Sequence, residues 1–179
     1  SGVALVGAAG YADGLISIPE LKLAVAGGAT VRMQGTMTVT EQPAFDMHAE
    51  WTDFTWPLVG SVVVRSSAGT LQAQGWREFN YRLAGKFQPL DAPPAEGWAA
   101  GRFTATQLIV EESSLQALGG RIEAKGMLAH DEGRAWTISG RAQDIDPATL
   151  RKDLPGHLSF AFAASGSGLD EGARWAAAV

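Results

Sequence analysis

Residues 30–40 read TVRMQGTMTVT. Val31, Met33, Gly35, Met37 and Val39 share one phase, and Thr30, Arg32, Gln34, Thr36, Thr38 and Thr40 share the other. Successive side chains of a strand point to opposite faces of its sheet, so eleven alternating residues predict a strand with one apolar face. The same grammar recurs along the chain. Phe45, Met47, Ala49 and Trp51 alternate with Asp46, His48, Glu50 and Thr52. Phe79, Tyr81, Leu83, Gly85 and Phe87 alternate with Asn80, Arg82, Ala84 and Lys86. Ile122, Ala124, Gly126 and Leu128 alternate with Arg121, Glu123, Lys125 and Met127. Trp136, Ile138, Gly140 and Ala142 alternate with Thr137, Ser139, Arg141 and Gln143, and Leu158, Phe160 and Phe162 continue the pattern. Near Thr52–Asp53 the phase flips, so that Phe54, Trp56 and Leu58 carry the apolar face; one extra residue, as in a β-bulge, produces this flip.

Turn signals separate the apolar runs: Ala26-Gly27-Gly28, Ser66-Ser67-Ala68-Gly69, Asp131-Glu132-Gly133 and Leu154-Pro155-Gly156. Short connections favour antiparallel neighbours. Helical signal is scarce. Asp146 followed by Pro147 fits an N-cap and a first helical residue, with Pro155 limiting that helix to about two turns. A second short helical turn is expected at 113–118. Segments 21–35, 62–75 and 108–126 each read as strand, small-residue turn and strand, with glycines at Gly35, Gly75 and Gly126. They predict one repetitive fragment over 1–179, with loose repeats near 15–58, 59–107 and 108–166.

A strand set with one apolar face must hide that face under helices, under a second sheet, or by curling around a guest. The shortage of helices removes the first option, and alternation alone leaves the other two open. Glycines on the apolar phase (Gly35, Gly75, Gly85, Gly126 and Gly140) have two readings. They leave space and permit curvature, or they seat a neighbouring large side chain. The fold class expected is all-β: a long, curved, mostly antiparallel sheet folded into a taco-like groove, with at most one or two short helices. The residues expected to line the groove are Val31, Met33, Met37, Val39, Phe45, Met47, Trp51, Leu71, Phe79, Tyr81, Leu83, Phe87, Ile122, Leu128, Trp136, Ile138, Leu158, Phe160 and Phe162. Their face is expected to be concave, while Arg32, Gln34, Arg82, Lys86 and Glu123 meet water.

Composition narrows the function classes. Only 18% of the 179 residues are charged, which gives less of the surface to water than usual, and the net charge of −5 is spread without a basic patch. Nucleic acid is therefore not an expected partner. With no cysteine, disulfides, thiol catalysis and Cys-based metal sites are excluded. No apolar run is long enough to cross a bilayer as a helix. His48, His130 and His157 fall in no metal-ligand spacing, and His130-Asp131-Glu132 reads as a polar hairpin tip. Asp144 and Asp146 read as a loop residue and a helix cap rather than paired catalytic carboxylates. Neither a nucleophile elbow nor a phosphate-binding loop is present. The expectation is a chain that is not an enzyme and uses no cofactor.

Two stretches carry a resemblance to a known family. Residues 56–87 (WPLVGSVVVRSSAGTLQAQGWREFNYRLAGKF), continuing through a Pro-rich link to 97–128, form the first. Residues 135–166 (AWTISGRAQDIDPATLRKDLPGHLSFAFAASG) form the second. Both resemble the periplasmic repeats of the TamB family of AsmA-like proteins, and the similarity covers most of the chain from about Leu15 onward. The resemblance implies a taco-folded sheet with an apolar interior, in a periplasmic protein anchored in the inner membrane. It implies phospholipid acyl chains as ligand, a part in outer-membrane biogenesis, and the outer-membrane protein TamA as a partner engaged through regions outside these residues. It also implies an alternative: a structural module that spaces the envelope or assists outer-membrane protein (autotransporter) assembly without conducting lipid. An exposed apolar face would in addition favour self-association.

Overall fold

The computed structural model describes residues 3–25, 28–56, 64–90, 93–131, 133–168 and 174–178. Among the described residues there are twelve strands and a single 3-10 turn. The chain divides into two compact units, Ser1–Pro94 and Ala95–Val179. The first holds β1 (Val3–Ala12), β2 (Leu15–Val25), β3 (Thr30–Thr38), β4 (Ala44–Trp56), β5 (Val64–Gly75) and β6 (Phe79–Pro89). The second holds β7 (Ala95–Phe103), β8 (Gln107–Ala117), β9 (Gly120–Ala129), β10 (Ala135–Ile145), β11 (Leu158–Ser167) and β12 (Arg174–Ala178). Within each unit every strand pairs antiparallel with its neighbour in sequence, giving a six-stranded meander. This is the all-β antiparallel architecture that alternation and short connections predict.

The strands lie where the pattern places them, because each apolar row is in register with the next. The predicted phase flip is also present. Asp53 takes a left-handed backbone (φ 52°), and Trp51 and Phe54, three residues apart, bring their ring centroids to 6.2 Å. β5 carries the matching irregularity: Phe54 pairs with Ser66, and the β5–β6 register shifts between Ser66 and Ala68. Extra residues at one level of two adjacent strands thus keep the apolar side chains on one face. Asp144 repeats the device in β10 (φ 54°), where the register with β11 shifts between Ala142 and Ile145.

Three local expectations are corrected. Ser66–Gly69 is not a turn but lies inside β5, because small residues tolerate a bulge as readily as a reversal. Residues 113–118 form no helical turn. β8 runs to Ala117, and the reversal uses Leu118 and Gly119 with φ 54° and 75°. The helix after Asp146 is one 3-10 turn, Pro147–Thr149, rather than two turns; its cap is as expected, with Asp146 Oδ1 accepting from Ala148 N at 2.9 Å. Of the predicted turns, Gly28, Asp131, Gly133 and Leu154-Pro155-Gly156 do lie between strands, whereas Ala26, Gly27 and Glu132 lie outside the described residues, as does Leu58. Of the segment at 62–75, the described residues 64–75 form one strand rather than a hairpin, whereas 21–35 and 108–126 do span hairpins.

Two hairpins turn on two residues, Asp13-Gly14 and Leu118-Gly119, all at positive φ. This is the type I′ geometry that matches strand twist, and β-branched or bulky residues fit it poorly. Replacing Gly119 by alanine puts a Cβ into the left-handed region. We expect Gly119→Ala to destabilise the chain by about 1–2 kcal/mol and Leu118→Asn to stabilise it slightly. The urea midpoint at constant m-value measures both.

Candidate functional site: the apolar sheet faces

In the first unit the pairing registers line up four apolar rows across β2 to β6. They are Leu23-Val31-Trp51-Gly69-Gly85, Leu21-Met33-Ala49-Leu71-Leu83, Ile18-Gly35-Met47-Ala73-Tyr81 and Ile16-Met37-Phe45-Gly75-Phe79. A fifth, Phe54-Ser66-Phe87, comes after the bulge. The predicted lining residues Val31, Met33, Met37, Phe45, Met47, Trp51, Leu71, Phe79, Tyr81, Leu83 and Phe87 therefore share one face. Val39 does not join them: it lies just past the end of β3, its amide donates to Gly14 O at 2.6 Å, and its side chain is exposed. In the second unit the rows are Phe103-Leu108-Leu128-Trp136-Gly166, Val110-Gly126-Ile138-Ala164, Ala124-Gly140-Phe162, Leu115-Ile122-Ala142-Phe160 and Ile145-Leu158. Ile122, Leu128, Trp136, Ile138, Leu158, Phe160 and Phe162 are thus gathered on one face.

Alternation misses part of this surface. On β2 an extra residue between Ile18 and Leu21 breaks the alternation, hiding Ile16, Ile18, Leu21 and Leu23 from a period-two reading. On β8 the run Leu108-Ile109-Val110 has no alternation to read, and a shift between Val110 and Ser114 interrupts the rest of the strand. Allowing one phase slip per strand recovers both.

The rows set large against small. A Cβ on Gly69 would collide with the Trp51 indole and lie 2.8 Å from Ala84 O, and a Cβ on Gly140 would lie 2.8 Å from the Phe162 ring. Phe45 on β4 and Phe79 on β6 meet across Gly75, centroids 5.5 Å apart. Gly69 thus seats the Trp51 indole, whereas at Gly140 a Cβ would meet the Glu123 carbonyl oxygen as well as the Phe162 ring, so close approach of the neighbouring backbone shares that role. Trp51 is fixed further by its indole N–H, which donates to the buried Ser66 hydroxyl at 2.8 Å.

The depth of burial decides what kind of face this is. Among the described residues the buried apolar side chains are Ala29, Ala142 and Ile145, and no large side chain is fully buried. The large residues of the rows are half-buried, and Ile138, Leu158 and Phe160 are exposed. A closed sandwich or barrel would bury such residues completely. Each unit is instead a single layer whose apolar face stays accessible.

The opposite face is polar. Arg32 pairs across from Glu50, Gln34 from His48, and Gln72 from Arg82. Arg32, Gln34, Arg82 and Lys86 are exposed, as expected, and Glu123 is half-exposed. In the second unit Glu123 sits between Arg121 (2.8 Å) and Arg141 (2.6 Å). The Arg141 hydrogen bond holds the Glu123 carboxyl below the ordinary glutamate range against an opposing desolvation effect, and the charges of Arg141 and Arg121 add to the lowering. The folded-state value is depressed, so the small stabilisation from this group is present above the ordinary glutamate pKa and fades as pH falls through the depressed value. Carbon-detected NMR titration should find Glu123 titrating below the ordinary glutamate range, and Arg141→Ala should move it back up.

Among the described residues no cluster of His, Asp and Glu could hold a metal, and no helix is long and apolar enough to cross a membrane. His130 packs against the Phe103 ring at 4.7 Å, and Asp131 O accepts from Arg134 N, so both residues are used in local structure. Neither a curated protein nor a solved structure matches the chain. A family model does: the TamB N-terminal domain aligns over residues 11–179. With nearly the whole length matched and an all-antiparallel, single-layered architecture, this chain belongs to the TamB N-terminal domain family.

Proposed function

We propose that the apolar sheet faces shield phospholipid acyl chains, and that the chain is a segment of a periplasmic, bridge-like lipid-transfer protein working between the inner and outer membranes. In this reading the full-length protein is anchored in the inner membrane, and TamA is engaged by regions outside these residues. The observation that carries the reading is the burial pattern: continuous apolar rows, half-buried, in single-layered units. Such a face costs free energy in water, and a hydrocarbon guest removes the cost. Each buried CH₂ contributes about 0.8 kcal/mol, so a sixteen-carbon acyl chain gains about 12 kcal/mol on leaving water. It gains about as much in a bilayer. Exchange between bilayer and sheet is then near neutral, and the sheet conducts lipid without setting its direction. No step in this function requires bond chemistry, a cofactor or a catalytic group.

A second reading draws on β1. Val3, Leu5, Val6 and Tyr11 are all more than 60% exposed, and among the described residues β1 pairs with β2 alone. It carries no charge and no proline. An exposed apolar strand of this kind suits contact with a protein client, and would serve a module that assists outer-membrane protein assembly.

Lipid capture separates the two readings. Chain incubated with vesicles of phosphatidylethanolamine and phosphatidylglycerol, then re-isolated, should release phospholipid on organic extraction. Folded chain that emerges free of lipid would overturn the acyl-chain reading.

A further inference from the structure

The connection between β10 and β11, residues 146–157, is the longest between strands. Its base is fixed. Asp146 N donates to Leu118 O at 2.8 Å, the Asp146 carboxylate caps the 3-10 turn, and Ile145 just before it is among the few buried apolar residues. Beyond that base the segment is open, with Leu150 61% and Leu154 46% exposed. It leads directly into Leu158 and Phe160, the exposed end of the apolar face of the second unit. Two cations lie between the leucines. The Arg151 guanidinium is held by Asp153 through two hydrogen bonds of 2.6 and 3.2 Å. Lys152 is exposed and has no ion-pair partner among the described residues.

A phospholipid whose acyl chains lie along a sheet face must leave its phosphate at a strand end, where water and a cation can reach it. We propose that the 146–157 connection is a headgroup rim: Lys152 takes the lipid phosphate, and Leu150 and Leu154 extend the apolar face to the first carbons of the acyl chains. This assignment rests on the acyl-chain reading and names the part of the ligand that the strands cannot hold. An exposed leucine pair flanking a lysine with no ion-pair partner among the described residues, followed along the chain by the exposed Leu158 and Phe160, matches the amphipathic boundary of a phospholipid. The same phosphate chemistry is offered by a free phosphate ester, which has no use for the leucines.

Binding of fluorescent phosphatidylglycerol and of a fluorescent diacylglycerol with the same acyl chains tests the proposal. Lys152→Glu should weaken phosphatidylglycerol binding about tenfold, on the order expected for reversing one cation near a phosphate. It should leave diacylglycerol binding unchanged, and Lys152→Arg should preserve both. Replacing Leu150 and Leu154 together by serine should weaken both lipids. Equal loss of the two lipids in Lys152→Glu, or loss of neither, overturns the headgroup rim while leaving the acyl-chain face intact. Wild-type chain that binds neither lipid removes the acyl-chain reading and this assignment with it. Full displacement of phosphatidylglycerol by millimolar glycerol phosphate would make Lys152 a free-phosphate site and overturn the proposal.

Discussion

Leu83→Asp should leave the chain folded and lower its affinity for acyl chains by about 100-fold. Leu83 lies on the apolar face of the first unit, on its last strand, opposite Leu71 in a single layer where its side chain is only half-buried. In the lipid-free state an aspartate there reaches water. The fold loses one cross-strand apolar pair, a matter of roughly 0.2–1 kcal/mol. In the lipid-bound state the carboxylate faces hydrocarbon, at a cost of about 3 kcal/mol by the scale for an acidic residue in a bilayer core, which corresponds to that drop in affinity. A closed core behaves in the opposite way: the buried charge unfolds the chain, and no binding defect can be separated from misfolding. Circular dichroism together with acyl-chain binding distinguishes the two. Met37→Asp, on β3 of the same face, should obey the same rule.

The largest stability effect is expected at Gly69. Any Cβ there collides with the Trp51 indole and crowds Ala84 O. For Gly69→Val the indole must swing off its seat and give up its bond to the buried Ser66 hydroxyl. Overpacking and the lost hydrogen bond together predict a destabilisation of about 2–4 kcal/mol. The cause can be isolated. Trp51→Leu removes the obstacle, so Gly69→Val in that background should cost markedly less, and the coupling of the double-mutant cycle should be well above 0.5 kcal/mol. Additive costs would mean that the neighbouring backbone, not the indole, sets the constraint.

Much of the fold is legible because period-two alternation is a direct imprint of the pleat. β3, β6, β9 and β10 emerge from their sequences almost residue for residue, as does the phase flip at Asp53. Legibility fails where that imprint is absent. β1 reads VALVGAAGYA, apolar on both phases, so alternation assigns it no face and predicts no strand there. β2 and β8 change phase in mid-strand through an irregular residue, which destroys alternation while preserving the face. Ser66–Gly69 has the composition of a turn, yet in β5 the same small residues make room for Trp51. The distinction lies in the neighbouring strand, which local sequence does not contain. The site is legible to a similar depth. Alternation places most lining residues on common faces. It does not say whether those faces are open, because openness depends on a covering layer and not on the strands themselves. Val39 departs from its expected place for a related reason, since alternation continues one residue beyond the point where the chain leaves the sheet.

The central claim is that lipid is held by one face of the sheet, and β6 offers the sharpest test. A photo-reactive residue placed in turn at Asn80, Tyr81, Arg82, Leu83 and Ala84, in the full-length protein within cell envelopes, samples the two faces alternately. Phospholipid adducts should form at Tyr81 and Leu83 and fall to background at Asn80, Arg82 and Ala84. Adducts of equal strength at all five positions, or adducts on the polar phase alone, would contradict the account.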